Sequence, residues 1–488
     1  MTFVADLEPR VLWSHFDRLL AIPRPSGDEA AARRYVLEVA RRAGRKAVAD
    51  PAGNIVVRKP ASAGVAGART VILQSHLDMV PEKRPDVAHD FARDAIVPRR
   101  EGDYVYATGT TLGADNGIGV AAMLAVLEAA DVTHPPLDLL FTVDEERGLT
   151  GAGKLDGTLL TGRTLLNLDS EEDGYLYVGC AGGGDSLITL PAATEPVPPG
   201  HVAWHVVVRG LRGGHSGMDI VLQRGNAILM LARALRAAHA AADGAWRLSS
   251  LTGGGARNAI PRDAGATVTV VADRREAFAR ALQEEFAKAQ AEHRAADPAA
   301  TIVVEPAPPP PAVWSAAAGA TLLRLLLALP NGVLAMSLDL PGLVETSSNV
   351  AVVRGWDAGI EIVTSQRSSV GSALAAARER VRAVAELAGA GVAQPPAYPG
   401  WKPDMASPLL AMMRQLHRDV LGTDPEVRAV HAGLECGVIG EKIPGADMIS
   451  FGPQIESPHS PDERVHVPSV ERFYGLLTAA LARLATAT

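Results

Sequence analysis

The chain has 488 residues, 47% hydrophobic and 21% charged, with a formal net charge of −8. That length exceeds one compact core and predicts two or three domains. Acids and bases are interspersed, with no Lys/Arg block suited to nucleic acid or an anionic membrane. No apolar run approaches the roughly 20 residues of a membrane span, and two cysteines, Cys180 and Cys436, are too few for a disulfide scaffold.

The first stretch, MTFVADLEPRVLWSHF, lacks the basic and apolar regions of a signal peptide, so the cytoplasm is the expected setting. Trp13, Phe16, Leu19 and Leu20 recur at helical spacing. After the prolines of IPRPSGDE, Ser26 and Glu29 have the spacing of a capping box for a second helix through about Arg42. NIVVRK and TVILQSHLDMV read as strands, and GADNGIGVAAMLAVLEAA as a glycine-rich turn entering a helix. LDLLFTVDEE and TLLNLDSEEDG read as strands that end in acids. Strands alternating with helices predict an α/β sheet covered on both faces.

PAATEPVPPGH reads as a linker or surface loop, and AWHVVVRGLRGGHSGM opens a different pattern. This middle region has alternating strands and amphipathic helices near Asn226 to His239 and Arg275 to His293. EPAPPPPAV marks a further loop. The region also resembles itself: GGGARNAIPRDAGATVTVVADRREAFARAL is followed later by LVETSSNVAVVRGWDAGIEIVTSQRSSVGSALAAA. The match would equate Asn258 with Asn349, and Arg275 or Arg274 with Arg367, as in a duplicated domain. AQPPAYPGW leads out to final helices near Pro408 to Leu421 and Ser469 to Leu484.

Five residues stand out as metal ligands: His76 in QSHLDMV, Asp115 in LGADNGIG, Glu146 in TVDEE, Asp169 in LLNLD and His459 in SPHSPDERV. Four of them fall where a strand stops or a helix starts, the edge at which open α/β sheets bind ligands. Two imidazoles and three carboxylates suit zinc, manganese or cobalt. Asp115, among glycines, is the best bridge between two ions, leaving His76 and Asp169 for one and Glu146 and His459 for the other. Asp78, two residues beyond His76, shares its face on a strand and can orient its ring. Glu145 is left as the base that takes a proton from water and gives it to a leaving amine. Each motif alone has an ordinary structural reading: a core pair, a solvated acid, a turn. Their colinear combination carries the reading. No H-E-x-x-H, Walker sequence or C-x-x-C occurs, and GGHSGM fails the G-x-S-x-G pattern at its last glycine.

Together, SHLDMV, TTLGADNGIGVAAMLAVLE, FTVDEERGLTGA, NLDSEEDG, GGHSG, GGGARNAIP, HAGLECG and SPHSPDERV resemble the aminoacyl-histidine dipeptidases, also called peptidase D or Xaa-His dipeptidases. These belong to the dinuclear metallopeptidases that include carnosinases, tripeptidase T and acetylornithine deacetylase. The resemblance spans nearly the whole chain and implies the same five ligands, Asp78 and Glu145. It implies a mixed-sheet α/β catalytic domain from residues 1–182 and 384–488, with an α+β lid at 183–383. It also implies substrate contacts from the lid: His215 to the oxyanion, Asn258, and Arg367 to the terminal carboxylate. His431 and Glu435 are candidates for lining the pocket, with no role assigned. The expected cofactors are two divalent ions, zinc foremost, with manganese and cobalt open. The expected partner is a small peptide, and the expected assembly a homodimer through the lid, with a monomer open. The alternatives are an N-acyl amino acid deacylase with the same metal set, a non-catalytic binding protein, and a dinucleotide-binding oxidoreductase, which lacks its fingerprint here.

Overall fold

The computed structural model describes residue 4, residues 6–356 and residues 359–486. Two compact units share the chain. Unit 1 comprises Met1–Cys180, Trp401–Ala429 and Leu434–Thr488, and unit 2 comprises Ala181–Gly400 and Val430–Gly433. The expected return at residue 384 is thus displaced. The short strand Gly391–Ala393 pairs with Gly182–Pro191 and keeps the chain in unit 2 as far as Gly400.

Unit 1 is built on an eight-stranded sheet. Its order is Lys46–Ala49, Ile55–Lys59, Leu137–Thr142, Val71–His76, Thr164–Asn167, Asp447–Ser450, Tyr175–Cys180 and Glu426–Val430. The central strands from Leu137–Thr142 to Asp447–Ser450 run parallel, and antiparallel neighbours flank them. Val71–His76 and Leu137–Thr142 are buried at every position. Cover on both faces replaces the alternation of a half-exposed strand, and Gln74, Ser75, Asp138 and Thr142 are buried polar members of these two strands.

The helix Ala114–Glu128 is buried from Ala114 to Leu127. It packs on Val71–His76 and is covered by Arg10–Leu20, Ala30–Arg42 and Val467–Ala485. A helix so enclosed must be apolar on all sides and small where neighbours come close. Gly117 is such a point: a Cβ there would meet Arg24 at 2.7 Å and the Phe16 ring at 2.9 Å. The expected capping box does not form. Glu29 is itself the N-cap of Ala30–Arg42 without a side-chain cap bond, and its carboxylate accepts from the backbone N–H of Gly27 (2.5 Å) and Asp144 (3.2 Å). A separate four-stranded sheet contains the hairpin Ile455–Glu456 and Arg464–His466, which Tyr104–Ala107 anchors.

Unit 2 is α+β. Its sheet runs Thr301–Pro306, His201–Arg209, Ala264–Val271, Trp246–Gly253, Val344–Trp356, Gly359–Ser368, Gly182–Pro191 and Gly391–Ala393, with Gly332–Met336 beside Val344–Trp356. Inward residues Val206, Val208, Leu251 and Ile362 pack with Leu231, Phe278, Leu322 and Val381 from the helices Ala227–Ala241, Arg275–Glu292, Ala316–Ala328 and Gly371–Leu387. Each of two adjacent antiparallel pairs is followed by a helix: Trp246–Gly253 with Ala264–Val271, then Arg275–Glu292; Val344–Trp356 with Gly359–Ser368, then Gly371–Leu387. The residue equivalences do not follow. Asn349 lies within a strand while Asn258 precedes one, and Arg367 lies in a strand while Arg275 begins a helix.

Candidate metal centre and catalytic site

The parallel strands of unit 1 deliver the predicted residues to one edge. His76 ends its strand, and Glu145 and Glu146 follow Leu137–Thr142 through a turn in which Asp144 has φ 53°. Asp169 follows Thr164–Asn167, and Asp115 opens the buried helix. His459, at φ 58°, lies in the loop between Ile455–Glu456 and Arg464–His466.

These side chains converge. His76 Nε2 lies 3.0 Å from Asp115 Oδ1 and 3.2 Å from Asp169 Oδ1. His459 Nε2 lies 3.1 Å from Asp115 Oδ2 and 3.0 Å from Glu146 Oε2. Asp115 therefore presents one oxygen to each histidine. The sets His76–Asp115–Asp169 and Asp115–Glu146–His459 are each compact enough to hold a metal ion, as is His76–Glu145–Glu146. Asp78 Oδ1 is 3.4 Å from His76 Nδ1, and its carboxylate accepts from the backbone N–H of Glu145 (3.1 Å) and Glu146 (3.2 Å). The expected reason for that placement needs correction. The strand ends at His76, so Asp78 reaches the ring from the following loop rather than from a shared strand face.

The electrostatics test whether cations fit. Burial drives the Asp169 carboxyl up to about 6, and the charges of Asp115 and Glu146 add to it while His76 opposes. Burial likewise pushes Glu145 well above the carboxylate range; His76 opposes, and Asp169 and Glu435 reinforce. Burial and the charge of Asp115 raise Glu171 to about 10. Hydrogen bonds to Asp115 and Glu146 raise His459 to about 11. Burial opposes ionisation of Asp115, but hydrogen bonds from His459 and His76 outweigh it and hold that carboxyl low. Glu146 Oε1 is buried with no hydrogen-bond partner. Carboxylates this crowded are short of positive charge, and the imidazole–carboxylate donor set suits divalent cations.

Asn116 and Glu171 escaped the sequence reading, and Glu435 was a pocket candidate without a role. Asn116, joined to Asp115 by a cis peptide, donates to Leu168 O (2.9 Å) and to Asp169. Glu435 is fully buried; its Oε2 accepts from Gln74 (2.5 Å) and Thr142 (2.7 Å), and burial raises its carboxyl to about 8. Glu171, two residues past Asp169, had a signal only in the acidic run NLDSEEDG.

The other predicted residues lie in unit 2. His215 Nδ1 accepts from the backbone N–H of Met218 (3.0 Å) and Gly217 (3.2 Å). That leaves the ring proton on Nε2. Burial and the charge of Arg367 lower the His215 pKa, so the ring is neutral. Arg367 is buried, donates to Tyr398 Oη at 3.0 Å and leaves its Nε without a partner. Asn258 is exposed, and its carbonyl accepts from Ser216 at 2.7 Å. His431 bonds Ser347 Oγ at 2.7 Å; burial, aided by Arg367, lowers it to about 3.

Among the described residues no helix is long and apolar enough to cross a membrane, and Cys180 and Cys436 are free and buried. The model of the family described as Peptidase family M20/M25/M40 matches residues 72–483. The chain is 41% identical to the cytosol non-specific dipeptidase of Escherichia coli K12 over 99% of both chains. The crystal structure of the aminoacylhistidine dipeptidase of Vibrio alginolyticus is similar to it with a TM-score of 0.92 and 40% identity, over 98% of both. The aminopeptidase PepT of Bacillus cereus, 16% identical over 98% of this chain and 100% of its own, has the same fold with a TM-score of 0.58.

Proposed function

We propose, from the premise that this chain belongs to peptidase family M20/M25/M40, that it is a metal-dependent dipeptidase acting on dipeptides with a free amino terminus, Xaa-His among them. It is a peptide-bond hydrolase. The dipeptide class follows two relatives matched over their whole length at about 40% identity, a non-specific dipeptidase and an aminoacylhistidine dipeptidase. The observation that carries the mechanism is the Asp115 carboxylate, with one oxygen at His76 and the other at His459.

His76 and Asp169 would hold one ion, Glu146 and His459 the other, with Asp115 shared; zinc is the first candidate. When bound, such ions supply Lewis acidity, acidifying water towards ~7 and polarising a carbonyl. Asp78 holds the His76 ring by its Nδ1. Glu145 takes the proton of the attacking water on its carboxylate and returns it to the leaving amine. Its raised affinity for protons, from burial, suits that exchange. His215 donates from Nε2 to the developing oxyanion. Arg367 binds the terminal carboxylate with its guanidinium fork, and Asn258 is a further substrate contact from unit 2, the proposed lid.

The proposed compartment is the cytosol, following the Escherichia coli relative. The proposed assembly is a homodimer through unit 2. Met218, Val221, Leu222, Met336 and Leu338 are exposed apolar side chains there, and their segments Ile220–Leu222 and Gly332–Met336 touch. Sedimentation at assay concentration tests this. The function itself is tested by hydrolysis of β-alanyl-histidine, α-dipeptides and N-acetyl amino acids, before chelation, after it, and after adding back zinc, manganese or cobalt. Metal-restored cleavage of free-amino dipeptides is expected. Cleavage confined to the acylated amino acids would make the protein a deacylase instead.

A further inference from the structure

The loop that carries Asp115 has no side-chain cap of its own. Gly113 is the N-cap of Ala114–Glu128, and it offers none. The free backbone donors of the turn that leads into this helix, ahead of the kink at Asp115 and Asn116, are instead taken by one residue from the far end of the chain. Glu463 Oε2 accepts from the N–H of Leu112 (2.7 Å) and Gly113 (2.9 Å), and Oε1 from Ala114 (2.7 Å) and Asp115 itself (3.3 Å). The backbone is left-handed at Gly113 and non-helical at Asp115 and Asn116, so these four N–H groups belong to a turn that closes on one carboxylate, a concave arrangement of backbone donors suited to an anion. Glu463 is 2% exposed and sits in the same hairpin loop as His459.

The carbonyl side of the loop is held as tightly. Arg24, also 2% exposed, donates from Nη2 to Gly113 O (2.5 Å) and from Nη1 to Leu77 O (3.0 Å) and Asp78 O (2.9 Å). The backbone leaves room for this fork. A Cβ on Gly113, at φ 70°, would stand 2.6 Å from Arg24 Nη2 and 2.8 Å from Met79 Sδ. Arg24 thus joins the loop after His76 to the loop of Asp115, and Glu463 joins the loop of Asp115 to that of His459.

We propose that Arg24 and Glu463 are positioning residues, a two-sided backbone clamp that sets Asp115 between His76 and His459 so that two ions are held as a pair. This rests on the metal reading above. Neither side chain would touch an ion. Each fixes the backbone from which a ligand extends, and orienting contacts of that kind are worth about 10- to 100-fold in metal affinity. A plain helix cap would contribute to stability alone.

The test is metal binding by the full-length apoprotein. Cobalt(II) and zinc(II) are titrated against a chromophoric chelator, with cobalt absorption recorded for wild type, E463Q and R24K. N226A, which removes the side-chain cap of Ala227–Ala241 in unit 2, serves as a control for lost stability. Wild type is expected to take up two ions. E463Q, nearly isosteric but with an amide group facing two N–H donors, is expected to bind at least one ion 10- to 100-fold more weakly with altered cobalt bands. N226A should bind as wild type does at a lower Tm. E463Q that matches wild type in both affinities and in spectrum, whatever its Tm, overturns the clamp and leaves the metal reading standing. Wild type that binds no ions overturns both. If E463Q does not fold, R24K, which keeps the charge and loses the fork, decides by the same criteria.

Discussion

His215→Asn separates the two faces of that imidazole. In the native loop Nδ1 is an acceptor for Met218 and Gly217 N–H, at 3.0 and 3.2 Å, which puts the proton on Nε2. The asparagine amide oxygen can still accept those bonds, but the side chain is too short to supply the Nε2 donor. The loop is therefore kept and the donor removed. The ring is neutral, because burial and Arg367 both disfavour its charged form, so the loss is that of one oxyanion donor. Such a donor is worth about 2.7–4 kcal/mol, or roughly 10²- to 10³-fold in kcat. The KM for a dipeptide should stay within about threefold, since the contact is made chiefly in the transition state. His215→Ala adds the loss of the two loop bonds, about 1 kcal/mol each at most, and should lower Tm where His215→Asn does not. The assay is steady-state hydrolysis of a dipeptide by metal-replete protein, with Tm alongside. His215→Asn retaining a third or more of wild-type kcat would refute the oxyanion role.

Glu145→Gln should lose roughly 10²- to 10⁴-fold in kcat with metal content unchanged by elemental analysis; near-normal turnover would remove Glu145 as the base. Arg367→Ala gives up a charge-assisted contact of about 1.5–3 kcal/mol, so kcat/KM should fall roughly 10- to 100-fold for free dipeptides. It should hardly change for C-terminal amides, and an equal loss for both would argue against carboxylate recognition. His431 gives a pH signature. Its folded pKa, lowered to about 3 by burial and Arg367, lies below that of the unfolded chain, about 6.5. The unfolded chain therefore binds the proton first, so this stability is complete above pH 6.5 and is lost as pH falls towards 3. The full loss is on the order of 5 kcal/mol. Denaturant unfolding of His431→Gln should show a shallower decline than wild type between pH 6.5 and 4, and parallel declines would contradict it.

The residues legible in the sequence are those whose signal is local. VILQSH and LDLLFT declare strands by their apolar cores, Val71–Leu73 and Leu139–Phe141, and the His and acids that follow those cores then stand out. What was not legible acts across the chain. Glu463 works by accepting backbone bonds from residues 112–115, and Arg24 by donating to residues 77, 78 and 113; backbone partners leave no trace in residue type. Glu435 stood out as a candidate for the pocket, but its role was not legible for a related reason, since its partners Gln74 and Thr142 lie on strands formed far earlier in the chain. Ser26 and Glu29 had the right spacing for a cap, but Glu29 is occupied by Gly27 and Asp144. The boundary near 383 failed because Gly391–Ala393 is a strand of three residues, too short to carry a period.

His459 illustrates how such a site tolerates a long insertion between its proposed ligands. Asp169 and His459 are separated by the whole of Ala181–Gly400, yet the two ends of that segment meet unit 1 side by side. Cys180 N–H donates to Trp401 O and Trp401 N–H to Cys180 O, both at 2.9 Å. Just inside unit 2 the same pairing holds Gly183 and Tyr398, at 3.1 and 2.9 Å. Closing a loop costs only about 0.6 kcal/mol more for each doubling of its length, so an insertion closed at its root adds little to the cost of bringing His459 back beside Asp115. What remains is local placement, and it falls to the hairpin Ile455–Glu456 and Arg464–His466, which Tyr104–Ala107 pins by its pairing with Arg464–His466. The position of His459 is thus set within unit 1, by contacts that the length of the inserted segment does not enter.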